Sequence, residues 1–232
     1  MFTVRKSEER GVSREPWLDS RHSFSFAGYH DPRFMGFRDL RVVNEDRVVP
    51  GEGFGEHGHR DMEIVSYVLE GELAHRDSLG NGSTLRAGEV QRMTAGTGIR
   101  HAEFNASADR PLHFLQIWIL PARTGLAPGW EQRAFPEAER RGRWRVLVSP
   151  DGADGSLTIH QDVRLLGALL APGEEARHEL APGRHAWVQV ARGEVALNGQ
   201  PLRVGDGAAV SEERLVSVRP VSEADVLLFD LR

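Results

Sequence analysis

The most informative stretch of this 232-residue chain reads Gly53-Phe54-Gly55-Glu56-His57-Gly58-His59-Arg60-Asp61-Met62-Glu63. Side chains alternate between the two faces of a β-strand, so His57 and His59 share a face, and Glu63 joins them if the strand is regular. Two imidazoles about 7 Å apart along one face can converge on one ion. The stretch therefore predicts a strand that presents metal ligands.

A second stretch repeats the pattern, and it reads Gly96-Thr97-Gly98-Ile99-Arg100-His101-Ala102-Glu103-Phe104-Asn105. By the same alternation, His101 and Glu103 share a face. Two strands that each carry ligands at positions i and i+2 can close a site of three histidines and one carboxylate inside a barrel. The chain has no cysteine, so any metal must be held by nitrogen and oxygen. The spacing alone does not choose between Glu63 and Glu103 as the carboxylate ligand.

A lone histidine is more often a core or surface residue than a ligand. We therefore assign no metal role to His22, His30, His75, His113, His160, His178 and His185.

The rest of the chain predicts an all-β fold. Twenty-five glycines and 12 prolines separate short apolar segments that have strand length and strand composition. The clearest of these segments are residues 64–69, 112–119, 146–148, 187–190 and 226–229. Many short strands with regular turns are typical of a sandwich or barrel. The best candidate for a helix is the segment Trp130 to Arg141.

A weak internal repeat predicts two similar β units. In each half a strand is followed by a Gly-Glu turn, at Gly71 and Gly193, then a return strand and a Gly-acid turn. We predict an N-terminal metal-binding domain over residues 1–122, a linker over 123–142 and a C-terminal domain over 143–232. Alignment of Gly193 with Gly71 puts Glu179 and Ala181 where His57 and His59 stand. No histidine occurs near Val218, the expected counterpart of His101, so the second unit is predicted to have no metal site.

Composition and charge exclude several classes of protein. No apolar run approaches the roughly 18 residues of a membrane helix, and the N-terminus does not resemble a signal peptide. We therefore expect a cytoplasmic protein with no membrane association. The net charge of −5, without a Lys/Arg block, argues against direct nucleic-acid binding. A monomer is expected.

Both histidine stretches resemble cupin motifs. Gly51-x5-His57-x-His59-x3-Glu63 resembles the first, and Gly88 with His101-x3-Asn105 resembles the second, although Thr94 stands where a proline is usual. Other segments resemble the pirin family more specifically: Phe24-Ser25-Phe26-Ala27, Asp31-Pro32, Asn44-Glu45-Asp46, Tyr67-Val68-Leu69-Glu70-Gly71 and Met93-Thr94-Ala95-Gly96-Thr97-Gly98-Ile99. The resemblance is dense over residues 17–120 and thinner in the C-terminal half. It is strongest to bacterial pirin-like proteins with quercetin 2,3-dioxygenase activity.

This resemblance implies two tandem cupin barrels of the double-stranded β-helix or jelly-roll type. It implies the ligands His57, His59, His101 and Glu103, with Glu63 nearby or as the alternative ligand. The ligand types suit Fe(II), Mn, Co, Ni or Zn, and the family resemblance favours iron. The implied reaction is opening of the central ring of a flavonol such as quercetin with O2, in which Glu103 also accepts the proton of the substrate hydroxyl.

Two other functions stay open at this point. Some pirins act as metal-dependent, redox-sensitive partners of transcription factors, so a non-enzymatic regulator with a protein partner is the main alternative to a dioxygenase. A metal that serves only stability is the second. A cavity of roughly 300 Å³ or more that reaches an open metal position would favour the enzyme.

Overall fold

The structure is a computed structural model that describes residues 2–232, and its regular elements are nearly all strands. In chain order these are β1 (Phe2–Arg5), β2 (Gly11–Glu15), β3 (Leu18–His22), β4 (Leu40–Val48), β5 (Gly53–His59), β6 (Glu63–Glu70), β7 (Glu72–Asp77), β8 (Gly82–Arg86), β9 (Glu89–Thr94), β10 (Ile99–Asn105), β11 (Leu112–Ile119), β12 (Gly129–Ala134), β13 (Arg145–Ser149), β14 (Leu157–Thr158), β15 (Val163–Leu170), β16 (Ala176–Glu179), β17 (His185–Arg192), β18 (Glu194–Leu197), β19 (Gln200–Arg203), β20 (Gly207–Val210), β21 (Leu215–Pro220) and β22 (Ala224–Leu231). One short helix, α1 (Glu137–Arg140), and 3-10 turns at Ser7–Glu9 and Ala153–Gly155 complete the inventory.

The predicted strands are confirmed, because each lies within β6, β11, β13, β17 or β22. The predicted helix from Trp130 to Arg141 is wrong over its first half. Residues 129–134 form β12, which pairs in antiparallel register with β9, and the helix is confined to Glu137–Arg140 after Pro136. Sheet pairing has overridden local helix propensity here. Within residues 2–232, no helix is both long enough and apolar enough to span a membrane.

The chain divides into two compact units. The first barrel consists of residues 11–134 and 157–161, and the second barrel consists of residues 2–10, 135–156 and 162–232. The units differ from the predicted boundaries because β1 pairs with β20, which puts the start of the chain in the second barrel. They also differ because β12 is a strand of the first barrel and lies within the stretch predicted as linker.

Two sheets form the first barrel, in the orders β12-β9-β6-β11-β4-β3-β2 and β5-β10-β7-β8. Inward-facing positions change from apolar to polar and back to apolar along the strands. On β6 the series is Ile64, Ser66 and Val68, and Ile64 and Val68 belong to separate apolar clusters. The intervening residues form a buried polar layer, which we define as Ser66, His75, Gln91, His101, Glu103 and Gln116.

The second barrel has sheets in the corresponding orders, β1-β20-β17-β22-β15-β13 and β16-β21-β18-β19. Its interior is one continuous cluster of apolar side chains contributed by both sheets. Burial of this cluster stabilises the unit at roughly 25 cal/mol for each Å² of apolar surface removed from water.

The internal repeat corresponds to one turn that occurs in both barrels. Gly71 joins β6 to β7 with φ of 81°, and Gly193 joins β17 to β18 with φ of 78°. A Cβ atom would lie 2.5 Å from the carbonyl oxygen of Pro111 at the first glycine and 2.1 Å from that of Glu223 at the second. Both the left-handed conformation and the close backbone therefore require glycine.

Candidate metal centre

Three imidazoles from two neighbouring strands converge in the first barrel. Strands β5 and β10 are antiparallel, and His101 lies opposite His57 in their register. The Nε2 atom of His101 lies 2.9 Å from Nε2 of His59 and 3.0 Å from Nε2 of His57. The predicted sharing of a face by His57 and His59 is confirmed, because both rings meet the same ring on the adjacent strand.

These distances fit a bound divalent ion. A metal-to-nitrogen distance of about 2.0–2.1 Å puts two ligands at right angles about 2.9–3.0 Å apart, which matches the observed separations. The Nδ1 atom of His57 lies 2.8 Å from the backbone carbonyl oxygen of Gly55, and a proton on Nδ1 leaves the Nε2 lone pair free. The two separations therefore fit a shared ion, and His57 has the tautomer that a metal ligand requires.

Burial also favours the neutral, metal-binding form of two of these imidazoles, those of His59 and His101. It lowers the pKa of His59 to about 4, with a smaller contribution from the charge of His57. Burial, followed by the charges of His57, His59 and His75, lowers the pKa of His101 to about 2. A neutral imidazole offers a lone pair, so near neutral pH these rings can act as ligands without first losing a proton.

Glu103 lies two residues beyond His101 on β10 and is 2% exposed. Its Oε2 accepts a 2.7 Å hydrogen bond from Nε2 of Gln116, and its Oε1 accepts one of 3.2 Å from the hydroxyl of Ser66. Burial raises the pKa of this carboxyl to about 7, with Ser66 lowering it and Asp46 raising it by lesser amounts. The carboxylate is thus held firmly in the polar layer.

The ligand atoms fall into two overlapping groups that share His101. One group is His57, His59 and His101, and the other is His75, His101 and Glu103, with all atoms of a group within 4.8 Å of one another. Glu103 is therefore close to His101 but belongs to a different group from His57 and His59. The four predicted residues lie in one region of the first barrel, and the Glu103 carboxylate is more deeply buried than His57 and His59.

Glu63 does not lie with the histidines, and the expectation of a regular strand from His57 to Glu63 is wrong. β5 ends at His59, and Asp61 has φ of 49°, a left-handed conformation that turns the chain. Glu63 then begins β6, where its Oε2 accepts a 3.0 Å hydrogen bond from Thr94 and its Oε1 lies 3.4 Å from Nδ1 of His160. Burial, opposed chiefly by Thr94, raises the pKa of this carboxyl.

Sequence reasoning missed His75. It lies on β7 opposite Glu103, is 3% exposed, and its ring centroid is 5.5 Å from that of His101. Its Nε2 is 3.2 Å from Asp77 Oδ2, and its Nδ1 is 3.3 Å from Gln91 Nε2. The available signal was His75-x-Asp77, a pair of polar residues on the inward face of a strand.

The second barrel has apolar residues at the positions that correspond to His59, His101 and Glu103. Strand pairing makes His178 the counterpart of His57, because it lies opposite Val216 as His57 lies opposite His101. The alignment on Gly193, which had put Glu179 and Ala181 at the positions of His57 and His59, was therefore displaced by one residue. Leu180, Val216 and Val218 belong to the apolar cluster. His178 itself bonds to Asp230 at 2.8 Å. The lack of a metal site in the second barrel stays a prediction.

Comparison with known proteins assigns families to both halves of the chain. Residues 3–119 match the family described as Pirin, and residues 146–231 match the family described as quercetinase C-terminal cupin domain. Quercetin 2,3-dioxygenase of Escherichia coli (strain K12) is 48% identical over 231 residues, covering 100% of this chain and 99% of the relative. A pirin-like protein of Caulobacter vibrioides is 41% identical over 232 residues, covering 99% of each.

Solved structures agree with these matches. The bacterial pirin YhhW from Escherichia coli in complex with nickel(II) has a TM-score of 0.95 and 48% identity, covering 100% of this chain and 99% of its own. A quercetin 2,3-dioxygenase from Acinetobacter baumannii has a TM-score of 0.75 at 22% identity, which shows a common fold.

Proposed function

The chain belongs to the pirin family, and on that premise we propose that it is a metal-dependent dioxygenase of the quercetinase type. The convergence of three imidazoles carries the proposal, since the Nε2 atoms of His57 and His59 both lie within about 3.0 Å of Nε2 of His101. The names of relatives support the same activity, and the nickel(II) complex of one of them supports a divalent ion.

In this proposal His57, His59 and His101 hold the ion, and Glu103 completes the set. An oxygen of Glu103 lies within 4.8 Å of a ring nitrogen of His101, and Ser66 and Gln116 hold the carboxylate in that position. Ligands of this type suit several first-row metals, and iron is the metal that we propose on the family resemblance.

The chain's own residues would bind the ion and accept a proton. A divalent ion held by these residues would supply Lewis acidity that favours loss of the flavonol 3-hydroxyl proton. Glu103 accepts that proton on an oxygen that keeps a free lone pair beside its single hydrogen bond. The opened ring and carbon monoxide are the products that the family resemblance implies.

Access to the site favours an enzyme over the regulatory alternative. His57 and His59 are only partly buried, whereas His101 is fully buried. A solvent-open depression of about 330 Å³ is lined by His59, Arg60, Ser78 and Arg100, among others. Small molecules can therefore approach one side of the histidine cluster. A protein partner for this chain stays a prediction.

The test is turnover of quercetin. The protein is purified without oxygen and its metal content is measured. The flavonol absorbance band is then followed after air is admitted, and released carbon monoxide is assayed. We expect Glu103→Gln to lower kcat by about 10²–10⁴-fold, since it removes the proton acceptor while it preserves volume. Glu63→Gln is the matched control, because it changes an equally buried carboxylate outside the cluster. A metal-loaded wild type that leaves flavonols intact would contradict the proposal, and an equal loss in Glu63→Gln would contradict the role of Glu103.

A further inference from the structure

We propose that Phe26 and Trp118 form the surface on which a planar aromatic substrate lies beside the metal ligands. This inference rests on the proposed function and adds to it the residues that recognise the substrate. We call Phe26 and Trp118 the aromatic wall.

The geometry connects the aromatic wall directly to the histidine cluster. The indole of Trp118 lies 5.0 Å from the ring of His59, at 80°, between ring centroids. Phe26 contacts the same indole, with ring centroids 5.3 Å apart and ring planes at 85°. Both side chains are only partly buried, whereas Phe24 is 2% exposed and belongs to the core. A substrate bound at a metal held by His59 would therefore lie within van der Waals reach of the wall.

The position of Trp118 follows from the alternation of β11. The inward side chains along this strand are Phe114 in an apolar cluster, Gln116 against Glu103, and Trp118 against His59. Trp118 and Met62 both pack against the apolar cluster of the first barrel that contains Ile64, next to the polar layer. The strand thus places the indole of Trp118 two residues beyond Gln116, whose side-chain amide donates a hydrogen bond to Glu103. An apolar surface with a few fixed polar groups is typical of a small-molecule site.

The indole nitrogen of Trp118 determines what the aromatic wall can recognise. Its Nε1 is buried and has no hydrogen-bond partner within residues 2–232, so it cannot donate to a ligand in this arrangement. The wall offers ring carbon only, and aromatic stacking depends on ring area and offset. We therefore infer that the wall favours planar, fused aromatic rings and does not itself recognise the hydroxyl groups that those rings carry.

The experiment measures flavonol affinity without oxygen, by titration of the metal-loaded protein with quercetin and with 3-hydroxyflavone, which lacks the peripheral hydroxyl groups. We expect the two Kd values of the wild type to agree within about threefold. We expect Trp118→Leu to weaken both by about 5- to 20-fold and Phe26→Leu to weaken them by less, with metal content unchanged. Trp118→Phe, which keeps an aromatic ring, should lie near the wild type.

The matched control is Trp130→Leu. Trp130 is also a partly buried tryptophan that packs on the same apolar cluster, and its Nε1 is likewise buried without a partner in the described chain. It differs from Trp118 in its neighbour, because its ring stacks on that of His75, with ring centroids 5.9 Å apart. Its removal should leave both Kd values unchanged. Equal losses in Trp118→Leu and Trp130→Leu, or an unchanged Kd in Trp118→Leu, would overturn the role of the wall. Loss of metal in Trp118→Leu alone would also overturn it and would make Trp118 a support of His59.

The two proposals fail in different ways. If the wild type binds flavonols with the expected dependence on Trp118 but does not turn them over in air, the dioxygenase proposal fails and the aromatic wall stands. If turnover occurs and Kd does not respond to Trp118, the wall fails and the dioxygenase stands. If the metal-loaded wild type binds neither flavonol, the wall is overturned as well.

Discussion

The two barrels have the same strand order and different interiors. Strands β9, β6, β11 and β4 in the first correspond to β20, β17, β22 and β15 in the second, and β5-β10-β7-β8 correspond to β16-β21-β18-β19. Counting from Gly71 and Gly193, Leu197 occupies the position of His75, and pairing with Leu197 puts Val218 at the position of Glu103. One barrel thus has a polar layer where the other has a continuous apolar core.

The difference shows that the site depends on a few inward side chains and not on the backbone that presents them. A polar group without a partner is costly to bury, so the first barrel needs the hydrogen bonds of Ser66, Gln116 and Asp77 around its histidines and Glu103. At the positions of His59, His75, His101 and Glu103 the second barrel has leucine or valine, which pack in its apolar cluster. A shared fold therefore does not imply a shared function.

The largest effect should come from making the first barrel resemble the second at one position. In His101→Val, which introduces the type of residue found at Val216, we expect loss of bound metal and a decrease in kcat/KM of more than about 10³-fold, because the ring shared by both ligand groups is removed. Metal analysis of the purified protein checks this, with retained circular dichroism as evidence of folding. In His178→Val, the control at the counterpart of His57, metal content should be unchanged; a normal metal content in His101→Val would contradict the assignment of the site.

A change of intermediate size is expected from a cavity in the second barrel. Leu197→Ala removes a fully buried side chain from the apolar cluster and should lower the free energy of unfolding by about 2–5 kcal/mol. Urea denaturation measures this change, and metal content of the folded protein should not fall. A decrease below about 1 kcal/mol would mean that the second barrel is less tightly packed than its burial indicates.

The smallest effect tests the feature that both barrels share. Gly71→Ala and Gly193→Ala each introduce a Cβ at a left-handed residue and against a backbone carbonyl, so each should destabilise the protein by about 1–3 kcal/mol. The two values should be similar when measured under the same denaturation conditions. Gly173→Ala is a useful reference, because it has φ of 92° but nothing within 4 Å of the added Cβ. A large difference between the two turns would show that the barrels are less alike than their strand order.

Sequence patterns predicted the strands well and the ends of the units poorly. The apolar segments of β6, β11 and β22 are long and bounded by turn residues, so local composition sufficed. β12 and β1 hold equivalent edge positions, β12 beside β9 and β1 beside β20, yet neither has a clear strand pattern. β1 pairs with a strand about 200 residues away, and such long-range pairing leaves no local signal. The predicted helix at Trp130 failed for the same reason.

In the site, alternation predicted the histidine pairs but not their neighbours. His57, His59 and His101 were predicted from i, i+2 spacing, and their rings converge as expected. His75 was missed because its strand is recognisable as a neighbour of β10 only after the sheet has formed. Glu63 was misplaced because the left-handed turn at Asp61 interrupts the alternation.

The sequence by itself determined the strand content, the Gly-Glu turns and the three histidines, because these depend on local alternation and on residue chemistry within a few positions. Only the tertiary structure decided that Glu103 and not Glu63 lies beside His101, that His75 joins them, and that Trp118 borders His59. These relations join residues on different strands. They are fixed by sheet register and by packing across the barrel interior, and neither is a local property of the chain.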